Sequence, residues 1–168
     1  MGLLILDNAN INNITVVEFS KNQHMLYAKD IMDFDEELSR SQERFAPGKL
    51  VPEPSLGKIS YEKYVDLLLE NNWRVFIILL GNKCIGYFHL GTGKYVNSAF
   101  LGSFIITKKY RGKGYGKIAL NLFKDLIKSD YDIIILYVYN KNIEAKRLYQ
   151  KVGFEDTTSV MTMKLNKK

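Results

Sequence analysis

Residues 101–154 read LGSFIITKKYRGKGYGKIALNLFKDLIKSDYDIIILYVYNKNIEAKRLYQKVGF, and they decide the fold. The order is strand, glycine-rich loop, helix, strand, helix. Phe104, Ile105 and Ile106 form a short apolar run with two β-branched members, as in a strand covered on both faces. The next segment, Lys108 to Lys117, alternates Gly112, Gly114 and Gly116 with other residues among cations. Glycine lets the chain turn and lets a ligand approach the main chain closely. Ile118, Ala119, Leu122, Phe123, Leu126 and Ile127 then recur at helical spacing. A loop of free N–H groups feeding a helix N-terminus attracts anions, phosphate above all, and Arg111, Lys113 and Lys117 add positive charge.

Three phosphate motifs can be compared with this loop. A Walker A loop requires G-x-x-x-x-G-K-[ST]; Gly112 and Gly116 stand too close, and Ile118 replaces the magnesium-binding hydroxyl. A dinucleotide fingerprint requires G-x-G-x-x-G, but Lys117 occupies the place of the third glycine, and no acidic residue closes the next strand, which ends on Tyr139 and Asn140. The pattern R-x-x-G-x-G is met by Arg111, Gly114 and Gly116. Downstream, Asn142, Ala145, Leu148, Tyr149, Lys151, Gly153 and Phe154 form N-x-x-A-x-x-L-Y-x-K-x-G-F.

Together these two motifs resemble the signatures of the GNAT superfamily, the Gcn5-related N-acetyltransferases. The likeness is sharp over about a third of the chain and looser over Ile14–Leu165, where it rests on the order of elements. It implies an α+β, three-layer acyl-CoA N-acyltransferase fold. That fold has a mixed, mostly antiparallel sheet, a central parallel pair of splayed strands, and helices on both faces. It implies acetyl-CoA as acyl donor, with its diphosphate on Arg111, Gly112, Lys113, Gly114, Tyr115, Gly116 and Lys117. The pantetheine arm would lie along Phe104, Ile105 and Ile106, with the main-chain N–H of Ile105 and Ile106 polarising the thioester carbonyl. Asn140 would bond pantetheine or a water. Asn142 would do the same or cap the following helix. Tyr149 matches the tyrosine of the L-Y motif and would protonate the departing thiolate. Its alternative is to pack beneath the helix.

The general base is open. Many relatives carry a carboxylate in the central strand, whereas here Ser103 is the only polar side chain before Thr107. A water chain comes first and His89 second; a lone histidine in a strand is more often structural.

Bulk properties set wider limits. The 168 residues suit one domain over 1–168, with 1–13 as an extra strand or arm. Hydrophobic residues make up 46% and charged ones 25%, ordinary for a globular protein. No apolar run is long enough for a membrane span and no signal-peptide pattern opens the chain, so a cytoplasmic protein is expected. The single cysteine, Cys84, is expected in the core, and it excludes an intramolecular disulfide. The two histidines, His24 and His89, are too far apart in sequence to suggest a metal centre. Basic residues outnumber acidic ones by 14 to 6 from Lys108 to Lys168, whereas acidic outnumber basic by 10 to 5 from Asp30 to Glu70. That asymmetry suits an anionic cofactor and a cationic acceptor better than nucleic acid. Asp33, Asp35, Glu36, Glu37, Glu43 and Glu53 are candidates for a cation-binding wall.

The remaining elements are expected as a strand at Ile14–Phe19, a helix at Gln23–Leu38 and a loop at Ser39–Gly57. A helix capped by Ser60 follows. Strands Arg74–Leu80 and Cys84–Leu90 join through a Gly81-Asn82 turn, and the central strand is Ala99–Thr107. Beyond it come a helix at Tyr115–Lys128, a strand at Asp132–Tyr139, a helix at Asn142–Val152, and an antiparallel pair, Phe154–Asp156 and Val160–Leu165. The function implied is acetyl transfer to a primary amine of a small molecule, by direct attack. The alternatives are acetylation of a protein N-terminus or lysine, and a CoA-responsive binding module without turnover. Sheet edges in this superfamily often pair subunits, so a homodimer is compatible.

Overall fold

The structure is a computed structural model that describes residues 13–48 and 59–163. Among the described residues five strands form one sheet in sequence order: β1 (Ile14–Glu18), β2 (Arg74–Leu80), β3 (Lys83–Thr92), β4 (Ser98–Ile106) and β5 (Ile133–Ile135). The first four are antiparallel neighbours and β5 runs parallel to β4. The β4–β5 crossover carries a helix, as a parallel connection requires.

Strand alternation builds two cores. Phe76, Ile78, Phe88, Leu101 and Ile106 point to one face, where they meet Tyr115, Ala119, Leu120, Phe123 and Ile127 of α4 (Tyr115–Ile127). Val75, Ile77, Tyr87 and Ile105 point to the other. That face is covered by Ala28, Ile31 and Phe34 of α2 (Ala28–Glu43) and by Tyr64 and Val65 of α3 (Tyr61–Leu68). Each large apolar side chain removed from water contributes about 1.5–3 kcal/mol. On the α4 face, Phe88 stacks between Phe104 and Phe123 with ring centroids 4.6 and 4.3 Å away. Gly86 is required where β3 meets β4, since a Cβ there would stand 2.0 Å from the Ile105 carbonyl oxygen.

Ser60 caps α3, its Oγ accepting from Lys63 N at 3.2 Å. The turn at Gly81 uses a positive φ of 59°. Four expectations need correction. The first helical stretch is broken: α1 (Lys21–His24) passes through a 3₁₀ turn at Met25–Tyr27 before α2 begins. Helix α2 then runs to Glu43, beyond Leu38 and into the expected loop; residues 49–58 of that loop lie outside the described residues. Strand β5 is only Ile133–Ile135, because the chain leaves the ladder when β4 diverges from it. No strand forms at Phe154–Asp156 or Val160–Met163: β5 offers too short an edge, and Val160, Met161 and Met163 are exposed. The end of the second expected strand, through Leu165, and the expected arm at 1–12 lie outside the described residues.

Candidate active site

The parallel pair opens as it runs. Ser98, Ala99 and Phe100 face Ile133, Ile134 and Ile135, and from Leu101 to Ile106 one edge of β4 has no strand beside it among the described residues. Thr107 N donates to Ile85 O on the β3 side at 2.9 Å. Alternation therefore turns the main chain of Ile105 toward β3 and that of Phe104 and Ile106 toward the open edge. Of the two N–H groups expected to face a thioester, only that of Ile106 reaches this gap.

Beyond β4, a 3₁₀ turn (Lys108–Tyr110) leads into the glycine loop. Gly112 and Gly114 have φ of 75° and 81°, the left-handed region that glycine enters without steric cost. Gly114 is also the N-cap residue of α4 and supplies no side-chain acceptor. The N–H groups of Gly112, Lys113, Gly114, Tyr115 and Gly116 have no hydrogen-bond acceptor among the described residues. Unsatisfied donors at a helix N-terminus, with the helix dipole behind them, favour negative charge. Lys113 and Lys117 have no ion pair among the described residues; Lys113 Nζ lies 5.9 Å from the Tyr110 ring centre. Gly116 brings the parts together: a Cβ there would meet Leu148 Cδ2 at 3.2 Å and Phe104 Cζ at 3.6 Å, so α4 sits close against β4 and against α5 (Ile143–Lys151).

Arg111 behaves differently from its lysine neighbours. Its Nη2 donates to Glu37 Oε1 on α2 at 2.5 Å, and its Nε donates to Ile106 O at 2.7 Å. The same Glu37 carboxylate accepts from Lys108 N at 2.9 Å and from Thr107 Oγ1 at 2.7 Å. The guanidinium expected on an anion thus bridges α2 to the end of β4.

Tyr149 lies on α5, half-buried, with its ring 6.3 Å from that of Phe104 and 5.6 Å from that of Phe154. Its hydroxyl has no hydrogen-bond partner among the described residues, and burial pushes the phenol up to about 12. Asn142 caps α5 through Oδ1, which accepts from Ala145 N at 3.3 Å. Asn140 is exposed in the turn that precedes that cap.

The α2 face of the sheet holds polar groups that the sequence does not reveal. Asp35 is 9% exposed and accepts a short hydrogen bond from the Tyr87 hydroxyl, itself fully buried. Burial, with the Asp35 carboxylate next, drives the Tyr87 phenol far above its usual range. His89 Nε2 lies 2.8 Å from Leu68 O, and a carbonyl can only accept, so the proton sits on Nε2. Desolvation pushes this imidazole below its ordinary range and keeps it neutral. The Trp73 ring packs against His89 at 4.3 Å with the two planes tilted by 42°, in the space left by Gly91 and Gly102. Cys84 is a core residue, and burial raises its thiol to about 12.

The expected acidic wall is largely used internally. Asp33 pairs with Lys29, Glu36 with Arg40, Glu37 with Arg111, and Asp35 with Tyr87. Glu53 lies outside the described residues. Among the described residues no group of His, Cys, Asp or Glu side chains is arranged to hold a metal ion, and no helix is long and apolar enough to cross a membrane.

A five-stranded mixed sheet with an opened parallel pair, a nest of main-chain donors at a helix N-terminus and helices on both faces is an acyltransferase-type architecture. The chain belongs to the acetyltransferase (GNAT) family, whose family model matches residues 34–154. It is similar to "Uncharacterized N-acetyltransferase YycN" of Bacillus subtilis (strain 168), 38% identical over 68 residues, 40% of this chain and 44% of that protein. It is also similar to "Uncharacterized N-acetyltransferase YbbJ" of the same organism, 37% identical over 91 residues, 48% of this chain and 57% of that protein. The matches thus span about half the length of these curated relatives. The crystal structure of YycN shares the fold, with a TM-score of 0.66 and 23% identity over 92% of this chain and 99% of that one. So does the aminoglycoside acetyltransferase meta-AAC0020 from an uncultured soil metagenomic sample, crystallised with sisomicin, at TM-score 0.66 and 14% identity over 94% and 98%. AAC(6')-Iy, in complex with a CoA bisubstrate analogue, matches at TM-score 0.60 and 15% identity over 91% and 98%.

Proposed function

We propose that this protein is an N-acetyltransferase that moves an acetyl group from acetyl-CoA to a primary amine of a small molecule. One observation carries the reading: the main-chain N–H groups from Gly112 to Gly116 have no acceptor among the described residues and stand at the mouth of an open strand pair. The residues present fit the donor. The N–H nest with Lys113 and Lys117 would hold its diphosphate. The free edge of β4 at Phe104 and Ile106 would pair with pantetheine amides. Asn140, in the turn beyond β5, and the amide nitrogen of Asn142 are further candidates for contact with that arm. Acetyl-CoA supplies an activated acyl thioester.

The chain's own groups would then do three things. The Ile106 N–H would stabilise negative charge on the thioester oxygen, as an oxyanion donor does. Tyr149, protonated through the whole neutral range, would give its proton to the leaving sulfur. The ammonium form of the acceptor cannot attack, so a base must take its proton. With no carboxylate side chain on β4, ordered water is the first candidate, and neutral His89 is the second.

The small-molecule acceptor draws support from two fold neighbours, one described as an aminoglycoside acetyltransferase in complex with sisomicin and one as AAC(6')-Iy in complex with the bisubstrate analogue CoA-S-monomethyl-acetylneamine. The acidic wall adds little, since most of its carboxylates already have partners. The test is thiol release from acetyl-CoA across a panel of aminoglycosides, polyamines, amino acids and peptides. Turnover above background with a soluble amine is expected. Turnover only on peptide N-termini or lysines would move the acceptor to proteins. Acetyl-CoA binding without transfer to any acceptor would leave a binding module, and no binding at all would remove the reading.

A further inference from the structure

We propose that Glu37 is a positioning residue for the anion loop, and that Arg111 acts as its strut rather than as a ligand of the bound diphosphate. The inference deepens the function proposed above and rests on it for the identity of the anion.

The geometry is specific. One carboxylate on α2 takes three hydrogen bonds from the segment joining β4 to the loop: Thr107 Oγ1 on Oε2, and Lys108 N and Arg111 Nη2 on Oε1. Arg111 adds a second tie through Nε to Ile106 O, the carbonyl at the free edge of β4. The guanidinium is therefore anchored at both ends of its fork, with a charge-assisted bond on one side. These bonds fix the chain on entry to Gly112, where the left-handed turns begin. A loop rich in glycine loses much conformational freedom when it closes on a ligand, and holding its entrance beforehand lowers that cost. With Arg111 neutralised by Glu37, the charge meeting the anion comes from Lys113, Lys117 and the main-chain dipoles.

The two roles for Arg111 predict opposite signs. If Arg111 binds diphosphate and Glu37 competes for it, removing Glu37 frees a cation and tightens CoA binding. If Glu37 positions the loop, the same change weakens it. In the full-length protein, Glu37→Ala is expected to raise the calorimetric Kd for CoA, and the KM for acetyl-CoA, by about tenfold with kcat nearly unchanged, the pattern of lost ground-state binding. Arg111→Ala should cost about the same. The double variant should cost no more than either single one, because both remove the same clasp. Glu36→Ala is the control, since among the described residues the Glu36 carboxylate bonds only Arg40.

A second readout needs no cofactor. Hydrogen–deuterium exchange of the main chain from Lys108 to Gly116 should accelerate in Glu37→Ala, while that of β2 and β3 stays as in the parent. Tighter or unchanged CoA binding in Glu37→Ala overturns the proposal, as does unchanged exchange in the loop. If the parent protein binds no CoA, the exchange measurement still decides the clasp, and only the function proposed above is lost.

Discussion

Tyr149 combines a half-buried ring with a hydroxyl that no described residue engages. A phenol raised to about 12 is protonated at neutral pH, so it can offer a hydrogen bond to a departing sulfur, and burial makes it a weaker acid than an exposed phenol. Tyr149→Phe keeps the ring contacts with Phe104 and Phe154 and removes only the donor. It is expected to lower kcat by about 10²-fold, the lower range for a positioned acid, with the KM for acetyl-CoA little changed. Equal turnover would remove the acid role. His89 makes a separate prediction. Its pKa is lowered in the fold, chiefly by desolvation, so the native state binds that proton less readily than the unfolded chain. The neutral form's stabilisation is complete above the ordinary value of about 6.5 and declines as pH falls through the lowered native value. The urea midpoint of the parent protein should drop from pH 7.5 to pH 5 by more than that of His89→Gln. Equal drops would show that the imidazole does not titrate with unfolding.

At the scale of elements, the glycine loop and α4 act as one unit. Gly114 is both the left-handed turn residue and the N-cap, and a Cβ there would meet nothing within 4 Å. Strain and electrostatics can therefore be separated at this position. Gly114→Ala adds only the left-handed backbone penalty, about 1–2 kcal/mol of stability. Gly114→Asp adds a similar penalty and also sets a carboxylate among donors meant for an anion. Calorimetry should find that Gly114→Asp weakens CoA binding at least tenfold more than Gly114→Ala does, on the basis that one misplaced charge costs about 1.4 kcal/mol or more. Equal losses would mean that the loop does not hold an anion. β2 and β4 were readable from their apolar runs and α3 from Ser60, because each pattern is local. β5 was overestimated for the same reason: Ile133 to Tyr139 has strand composition throughout, yet a strand also needs a partner, and β4 diverges after Phe100.

On the scale of the whole molecule, the proposed anion site draws on segments far apart in the chain. Arg74 closes a comparable long-range link: its guanidinium is bidentate to Glu18 at 2.7 and 2.8 Å and bonds Asp130 at 2.9 Å, tying β1 and β2 to the turn after α4. If acetyl-CoA bridges the loop, the β4 edge and α5, it binds only the assembled fold. Acetyl-CoA at about 100 times its Kd should then stabilise by about 2.7 kcal/mol. For a chain of this size that corresponds to a rise in Tm of about 5–10 °C. A Tm that does not respond to acetyl-CoA would contradict cofactor binding at this site.

Local sequence sufficed for the succession of strands and helices, for the glycine turns and for the two motifs that carry the family, since each depends on residues only a few positions apart. Tertiary structure alone decided that Asp35 and Glu37 are spent, because their partners lie far along the chain. Glu37 and Arg111 are 74 residues apart, and Asp35 and Tyr87 are 52 apart. In the sequence, Asp33, Asp35, Glu36 and Glu37 look like one acidic run. Helical phase hints that Asp35 shares the inward stripe of Ile31 and Leu38, but it says nothing of what waits there. Asp33 and Glu36 find Lys29 and Arg40 within α2 itself, whereas the buried bond to Tyr87 and the clasp on the glycine loop form only when the sheet brings β3 and β4 beneath α2.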